Sequence, residues 1–71
     1  MNDIGYIKEE YKNSICFESV KNCNDINQLK NRKKYTEIAI NFHTKESNPK
    51  QVEFFTNDLN FINSKLKKLE V

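Results

Sequence analysis

The residues of this chain best suited to nucleophilic, redox or metal chemistry are two cysteines and a single histidine. Six residues separate Cys16 from Cys23, and His43 lies far from both in the sequence. Two thiols cannot by themselves complete the four-ligand shell of a structural zinc ion, so the spacing predicts no metal site. We expect two separate thiols without a chemical role, and a disulfide or redox pair is the alternative.

The other residue patterns that support catalysis do not occur in the sequence. No serine or cysteine is placed to act as a nucleophile with His43, and the carboxylates of Glu37 and Glu53 are expected to be solvated beside lysines. The chain contains one glycine, which excludes a glycine-rich loop for phosphate groups. We therefore expect no enzymatic activity and no cofactor.

A basic segment at residues 30–34 is the strongest local charge feature of the sequence. An aromatic residue follows it, of the kind that can stack on a base or contact a phosphate. The net charge of +2 is too small to indicate nucleic-acid binding by itself. The segment is interpreted as a solubilising loop or as a site for an acidic protein or a nucleic acid. The candidate binding residues are Lys30, Arg32, Lys33, Lys34 and Tyr35.

The hydrophobic pattern predicts the elements that would position these residues. Ile38, Ile40 and Phe42 alternate with other residues, and the alternation returns after Pro49, which is typical of half-buried strands. Pro49 and the polar residues before it favour a turn, so the two runs are predicted to form a hairpin. The predicted strands cover about 35–43 and 50–55, and another alternating run predicts a first strand over about 14–20.

A helix is predicted over residues 57–69, because four leucine and isoleucine residues there follow one helical stripe. The preceding polar run, Thr56-Asn57-Asp58, offers N-cap side chains and an acidic first turn. A short helix is also predicted within residues 2–13, with a strand as the alternative.

The segment between the first two predicted strands, residues 21–34, is predicted to be a polar loop that contains the basic segment. Within it, Asp25 and Gln28 have the form of a capping box, which allows a single helical turn.

These elements predict an α+β fold of α-β-β-β-α order, in which a three-stranded antiparallel sheet packs against the C-terminal helix. We expect residues 1–71 to form one small domain. The predicted core consists of Ile15, Phe17, Ile38, Ile40, Phe42, Val52, Phe54, Leu59, Ile62, Leu66 and Leu69.

The composition is that of a globular chain, with 37% hydrophobic and 31% charged residues. No apolar run approaches the roughly 20 residues that a membrane-spanning helix needs. The N-terminal sequence shows no secretory signal. We therefore expect a cytoplasmic protein, in the host cell if a phage encodes it, that has no membrane partner.

Small single domains without an active site are often encoded by phages and mobile elements as inhibitors or regulators of larger proteins. We expect a protein-interaction module of this type, with a protein partner and possible homo-oligomerisation. The aromatic residues left over after the predicted core is filled are the candidate anchors, namely Tyr35, Phe55 and Phe61. The alternative is a nucleic-acid-binding accessory protein that uses the basic segment at 30–34.

Overall fold

The computed structural model describes residues 8–70, in which all regular elements are α-helices. The helices α3 and α4 form an antiparallel hairpin, and α1 and α2 pack against α4. An ion pair of 3.4 Å between Lys30 Nζ and Glu70 Oε2 joins the start of α3 to the residue after α4. The helices are α1 (Glu9–Lys12), α2 (Ile15–Lys21), α3 (Ile26–Lys45) and α4 (Pro49–Leu69).

The predicted α+β fold is wrong, because residues 8–70 contain four helices and no strand. The helix predicted over 57–69 is confirmed as the second half of α4. Of the helix predicted within 2–13, the described part forms the single turn α1, and the rest lies outside the described residues. The predicted strands at about 14–20, 35–43 and 50–55 fall within α2, α3 and α4, respectively.

Residues 35–43 of α3 were predicted to be a strand because their apolar residues are spaced two positions apart. Residues two positions apart share a face of a strand but lie about 200° apart around a helix. Ile40 is accordingly half-buried on the side of α3 that carries the buried Thr36. Ile38 and Phe42 are instead 54% and 57% exposed, so their assignment to the core is wrong.

The helix α3 begins within the segment predicted to be a loop. The N-cap Asp25 accepts a hydrogen bond of 3.1 Å from the backbone N–H of Gln28, as the capping-box pattern indicates. The helix then continues well beyond one turn, because Leu29 is fully buried against α4 and α2. The basic segment at 30–34 is therefore helical and does not form a loop.

The connection between α3 and α4 is the turn that Pro49 signals, although it joins two helices and not two strands. The N–H groups of Ser47 and Asn48 donate to the carbonyls of Thr44 and His43, at 3.2 and 3.0 Å. This pair of bonds is a Schellman motif, which requires a left-handed residue after the helix. Ser47 takes that position with a φ of 57°.

We expect Ser47→Gly to raise the free energy of unfolding by about 0.5–1 kcal/mol, because glycine has no Cβ to oppose a positive φ. Urea denaturation of both proteins measures the change. The matched control is Ser64→Gly within α4, which should lower the free energy by roughly 0.5 kcal/mol. A Ser47→Gly variant less stable than wild type would contradict the strained turn.

The N-cap predicted at Thr56-Asn57-Asp58 is wrong, because α4 starts earlier, with Pro49 in its first turn. The polar side chains find partners inside the helix instead. Thr56 Oγ1 and Asn57 Nδ2 donate to the carbonyls four residues before them, at 2.7 and 2.8 Å. Asp58 is buried and accepts its bonds from other helices.

The core lies where α2, α3 and α4 meet. It consists of Val20, Leu29, Ile62 and Leu66, so the prediction is confirmed for the two residues of α4 and misses the two others. Ile15, predicted to be buried, is 86% exposed. Among the described residues, no helix combines the length and the apolar character that crossing a bilayer requires.

Candidate protein-interaction surface

A buried polar network holds three helices together at the centre of the molecule. The carboxylate of Asp58 on α4 accepts hydrogen bonds from the hydroxyl of Tyr11 on α1 and from Thr36 Oγ1 on α3, the latter at 3.0 Å. All three side chains are buried. Because both carboxylate oxygens have a donor, the network fixes the register of α3 against α4 and attaches α1.

The network keeps the phenol of Tyr11 protonated. Burial disfavours the phenolate, and the hydrogen bond to Asp58 and the negative charge of Asp58 act in the same direction, so the pKa of Tyr11 is raised well above its ordinary value. The positive charge of Arg32 opposes this shift without cancelling it.

The raised pKa of Tyr11 predicts a loss of stability at high pH. Above about pH 10 the unfolded chain loses the phenolic proton while the folded chain keeps it, so stability falls by about 1.4 kcal/mol per pH unit. Below that pH both states hold the proton and this group adds no pH dependence. Urea denaturation from about pH 9 to 12 should therefore show a steeper decline for wild type than for Tyr11→Phe.

The matched control for loss of a phenol is Tyr35→Phe, at an exposed position. The stability of this variant should decline with pH as steeply as that of wild type. Parallel curves for wild type and Tyr11→Phe would show that Tyr11 is not held protonated.

An open groove of about 390 Å³ lies above this network, between α2 and α3, with α4 as its floor. Its apolar part is formed by Tyr35 and Ala39 on α3 and by Phe55 on α4, while Arg32 brings a cation. The complete lining is Cys16, Arg32, Tyr35, Thr36, Ala39, Phe55 and Asp58.

Arg32 separates this groove from a second cavity of about 440 Å³. Its Nη1 donates to Ser19 Oγ at 3.1 Å, which directs one arm of the guanidinium toward α2. Its Nε is buried and has no hydrogen-bond partner among the residues that the structure describes. The guanidinium thus has donor capacity that the fold does not use. The second cavity is lined by Ser19, Asn22, Cys23, Gln28 and Arg32.

An exposed apolar stripe on α3 continues from the groove. We define the α3 face as Tyr35, Ile38 and Phe42, of which Tyr35 is 68% exposed. The spacings of three and four residues place these side chains on one side of the helix over about two turns. Tyr35 belongs to both features, and Ala39 borders the rest of the face, so the α3 face and the groove form one surface.

Stacked aromatic rings support this surface from below. The imidazole of His43 stacks on Phe55 with a centroid distance of 5.6 Å and an interplanar angle of 8°. Phe42 packs against His43 in a T-shaped arrangement at a centroid distance of 5.2 Å, and Phe54 packs against Phe55 in the same way at 5.4 Å. These ring contacts fix Phe55 in the groove and link it to the end of the α3 face.

The structure brings only some of the candidate binding residues together. Arg32, Tyr35 and Phe55 line the groove. Phe61 does not line it: this ring stacks on Phe17 at 4.7 Å and packs against the core. Lys30, Lys33 and Lys34 lie along the first half of α3, where Lys30 pairs with Glu70.

Sequence reasoning missed Ile38 and Phe42 as surface residues, because the strand interpretation placed them in the core. If residues 35–42 are treated as a helix, Tyr35, Ile38 and Phe42 fall on one face and Ile40 falls on the other. The helical period would therefore have identified the exposed residues.

The open end of the helical hairpin is basic. The start of α3 contributes three lysines, and the last turn of α4 contributes Lys67 and Lys68. Lys65 Nζ donates to the carbonyl of Lys21, the last residue of α2, where a cation also interacts favourably with the helix dipole.

Within residues 8–70, no group of three or more His, Cys, Asp and Glu side chains is arranged to hold a metal ion. Cys16 and Cys23 are free thiols, and each lines a different cavity. In comparisons with protein-family models, curated proteins and solved structures, nothing matches this chain.

Proposed function

We propose that this chain is a non-enzymatic protein-interaction module that inhibits or regulates a larger protein by docking through the α3 face and the adjoining groove. The observation that carries the proposal is the exposure of Tyr35, Ile38 and Phe42 beside the half-buried Phe55. A continuous apolar surface of this kind is uncommon on a small monomer and is typical of a binding site.

The borders of the surface support the same function. Asn31, Lys34, Asn41 and Lys45 are exposed on α3 around the apolar stripe. A hydrophobic centre with a polar rim is the usual anatomy of a protein interface. Tyrosine and phenylalanine anchors contribute much of the binding energy at such sites.

We place the module in the cytoplasm, that of the host cell for a phage or mobile element. Support comes from the two free thiols, since cysteines of secreted domains this small are commonly paired in disulfides.

The proposal is tested by capture from a host-cell lysate with three proteins: wild type, the triple variant Tyr35→Ser/Ile38→Ser/Phe42→Ser, and Ile15→Ser. The last variant is the matched control, because Ile15 is an exposed isoleucine of α2 outside the α3 face. We expect wild type and Ile15→Ser to retain the same protein and the triple variant to lose it. Equal retention by the triple variant would overturn the proposal.

The two thiols locate the partner directly. Cys16 lines the groove and Cys23 lines the second cavity, so one alkylating reagent reports on both places. With the captured partner bound, we expect alkylation of Cys16 by N-ethylmaleimide to slow and that of Cys23 to remain unchanged. Unchanged alkylation of Cys16 in the complex would place the partner elsewhere.

The second candidate function is nucleic-acid binding, which the basic open end of the hairpin favours. Polyanion binding would be strongest at low salt, with a slope of log K against log salt of about −0.7 to −0.9 per phosphate contact. The test variant is Lys30→Gln/Lys67→Gln/Lys68→Gln, which changes no residue of the groove, the α3 face or its border. If wild type and this variant bind single- and double-stranded DNA equally weakly, the candidate is rejected.

A further inference from the structure

We infer that the groove receives an acidic side chain from an amphipathic helix of the partner, with Arg32 as its counter-ion and the α3 face as the seat of the helix's apolar residues. This inference rests on the proposed function and adds the chemical class of the partner segment.

A helix is the segment that this surface fits. Residues 8–70 present no sheet edge, so an extended peptide has no strand to pair with. The groove is lined by residues of three helices, and grooves between helices commonly accept another helix. The surface extends along α3 from Arg32 to Phe42, two residues that lie ten positions and about 15 Å apart, which corresponds to nearly three turns of a docked helix.

The anchors on the docked helix are set by the α3 face. Tyr35, Ile38 and Phe42 project over about two turns, so a complementary helix presents apolar residues at spacings of three and four. Phe55 and Ala39 provide the half-buried apolar wall beside them.

The acidic residue follows from the state of Arg32. Among the described residues the guanidinium makes one hydrogen bond, from Nη1 to Ser19 Oγ, and because Nε is buried the donors left for a ligand are those of the two Nη groups. A carboxylate satisfies a guanidinium better than water or a neutral group does, because two parallel charge-assisted bonds match its planar fork.

The other charged groups of the groove leave Arg32 as the feature that selects the ligand. Asp58 is 2% exposed, and its carboxylate already accepts bonds from Tyr11 and Thr36. The exposed ammonium of Lys34, next to Tyr35, adds positive charge near the same end of the face. An acid is therefore attracted to the Arg32 end of the face, where it can also enter the groove, whereas the exposed Lys45 near the Phe42 end does not line the groove.

The probe for this inference is a displayed library of helical peptides of about four turns, roughly 15 residues, with randomised outer positions. Selection on wild type should enrich peptides that carry apolar residues at spacings of three and four and one Asp or Glu at a fixed place beyond them. Binding of a selected peptide should weaken roughly 10- to 100-fold when that acid is changed to its amide.

Coupling to Arg32 is measured with Arg32→Gln and Arg32→Lys. Arg32→Gln should remove the difference between the acidic peptide and its amide form, and Arg32→Lys should restore part of it, because lysine keeps the charge but not the fork. If Arg32→Gln does not fold, the affinities of the acidic and amide peptides for wild type still test the inference. Equal affinity of those two peptides on wild type overturns the inference.

The remaining outcomes separate this inference from the proposed function. If the selected peptides carry no conserved acid and their binding is abolished by Ile38→Ser in this protein, the acidic site is overturned and the interaction module is supported. Failure to select any peptide sensitive to Ile38→Ser counts against both. If wild type sediments as a dimer and Ile38→Ser sediments as a monomer, the surface binds a second copy of the chain. This result would also overturn the inference.

Discussion

Replacing Asp58 by alanine is expected to lower the free energy of unfolding by about 3–5 kcal/mol, since two buried hydrogen bonds to a charged group are lost at roughly 1.5–3 kcal/mol each. The hydroxyls of Tyr11 and Thr36 then remain buried without their acceptor. A loss of this size is a large part of the stability of a domain this small. Thermal or urea denaturation of Asp58→Ala against wild type measures it.

Two control variants show that the loss comes from the broken network. Glu53→Ala removes another acid of α4, whose ion pair with Lys8 Nζ at 2.6 Å is exposed, and should change stability by less than about 1 kcal/mol. The triple variant Tyr11→Phe/Thr36→Val/Asp58→Leu removes all three polar groups and should recover most of the lost stability. A triple variant as unstable as Asp58→Ala would mean that packing, and not the unpaired hydroxyls, causes the loss.

The second large effect is expected at Leu29, where substitution by alanine should cost about 2–5 kcal/mol, because the side chain is fully buried in the core. The matched control is Ile38→Ala on the same helix, where the side chain is 54% exposed and the change should stay within about 0.5 kcal/mol. Chemical denaturation of the two variants measures both changes.

This pair of variants also distinguishes the two folds. The α+β prediction puts Ile38 in the core and Leu29 in a loop, so it requires the opposite order of effects. A destabilised Ile38→Ala variant together with a stable Leu29→Ala variant would therefore contradict the helical hairpin.

The part of the fold that could be predicted from the sequence is the part with a long, uninterrupted stripe. The apolar residues of 59–69 keep helical spacing over more than two turns, so this half of α4 and its buried Ile62 and Leu66 were predictable. The turn at Pro49 was predictable as well, since proline fixes φ whatever elements it joins.

The rest of the fold was not predictable, because short alternating runs fit two periods. Residues 35–43 carry apolar residues on both the buried and the exposed face of a helix, and together these residues produce the alternating pattern that is expected of a strand. Only tertiary packing, in which Leu29 and Thr36 face α4, decides between them. Tyr11 and Asp58 lie 47 positions apart, and no local sequence pattern predicts the hydrogen bond between them.

The candidate site was predictable in its chemistry and not in its shape. Tyr35, Arg32 and Phe55 stand out by type, as surplus aromatic and basic residues. Their convergence on one groove depends on the crossing of α2, α3 and α4, and Ile38 and Phe42 join them only because α3 is a helix.

From the helical hairpin of α3 and α4 we also expect a definite order of folding. Its halves are neighbours in sequence and only residues 46–48 close the loop, so its entropy of closure is small and it forms early. The helix α1 has four residues, too few to persist alone, and is tied to the distant Asp58. We expect α1 to join last and to detach first, so substitutions at Tyr11 should chiefly accelerate unfolding and leave the folding rate almost unchanged.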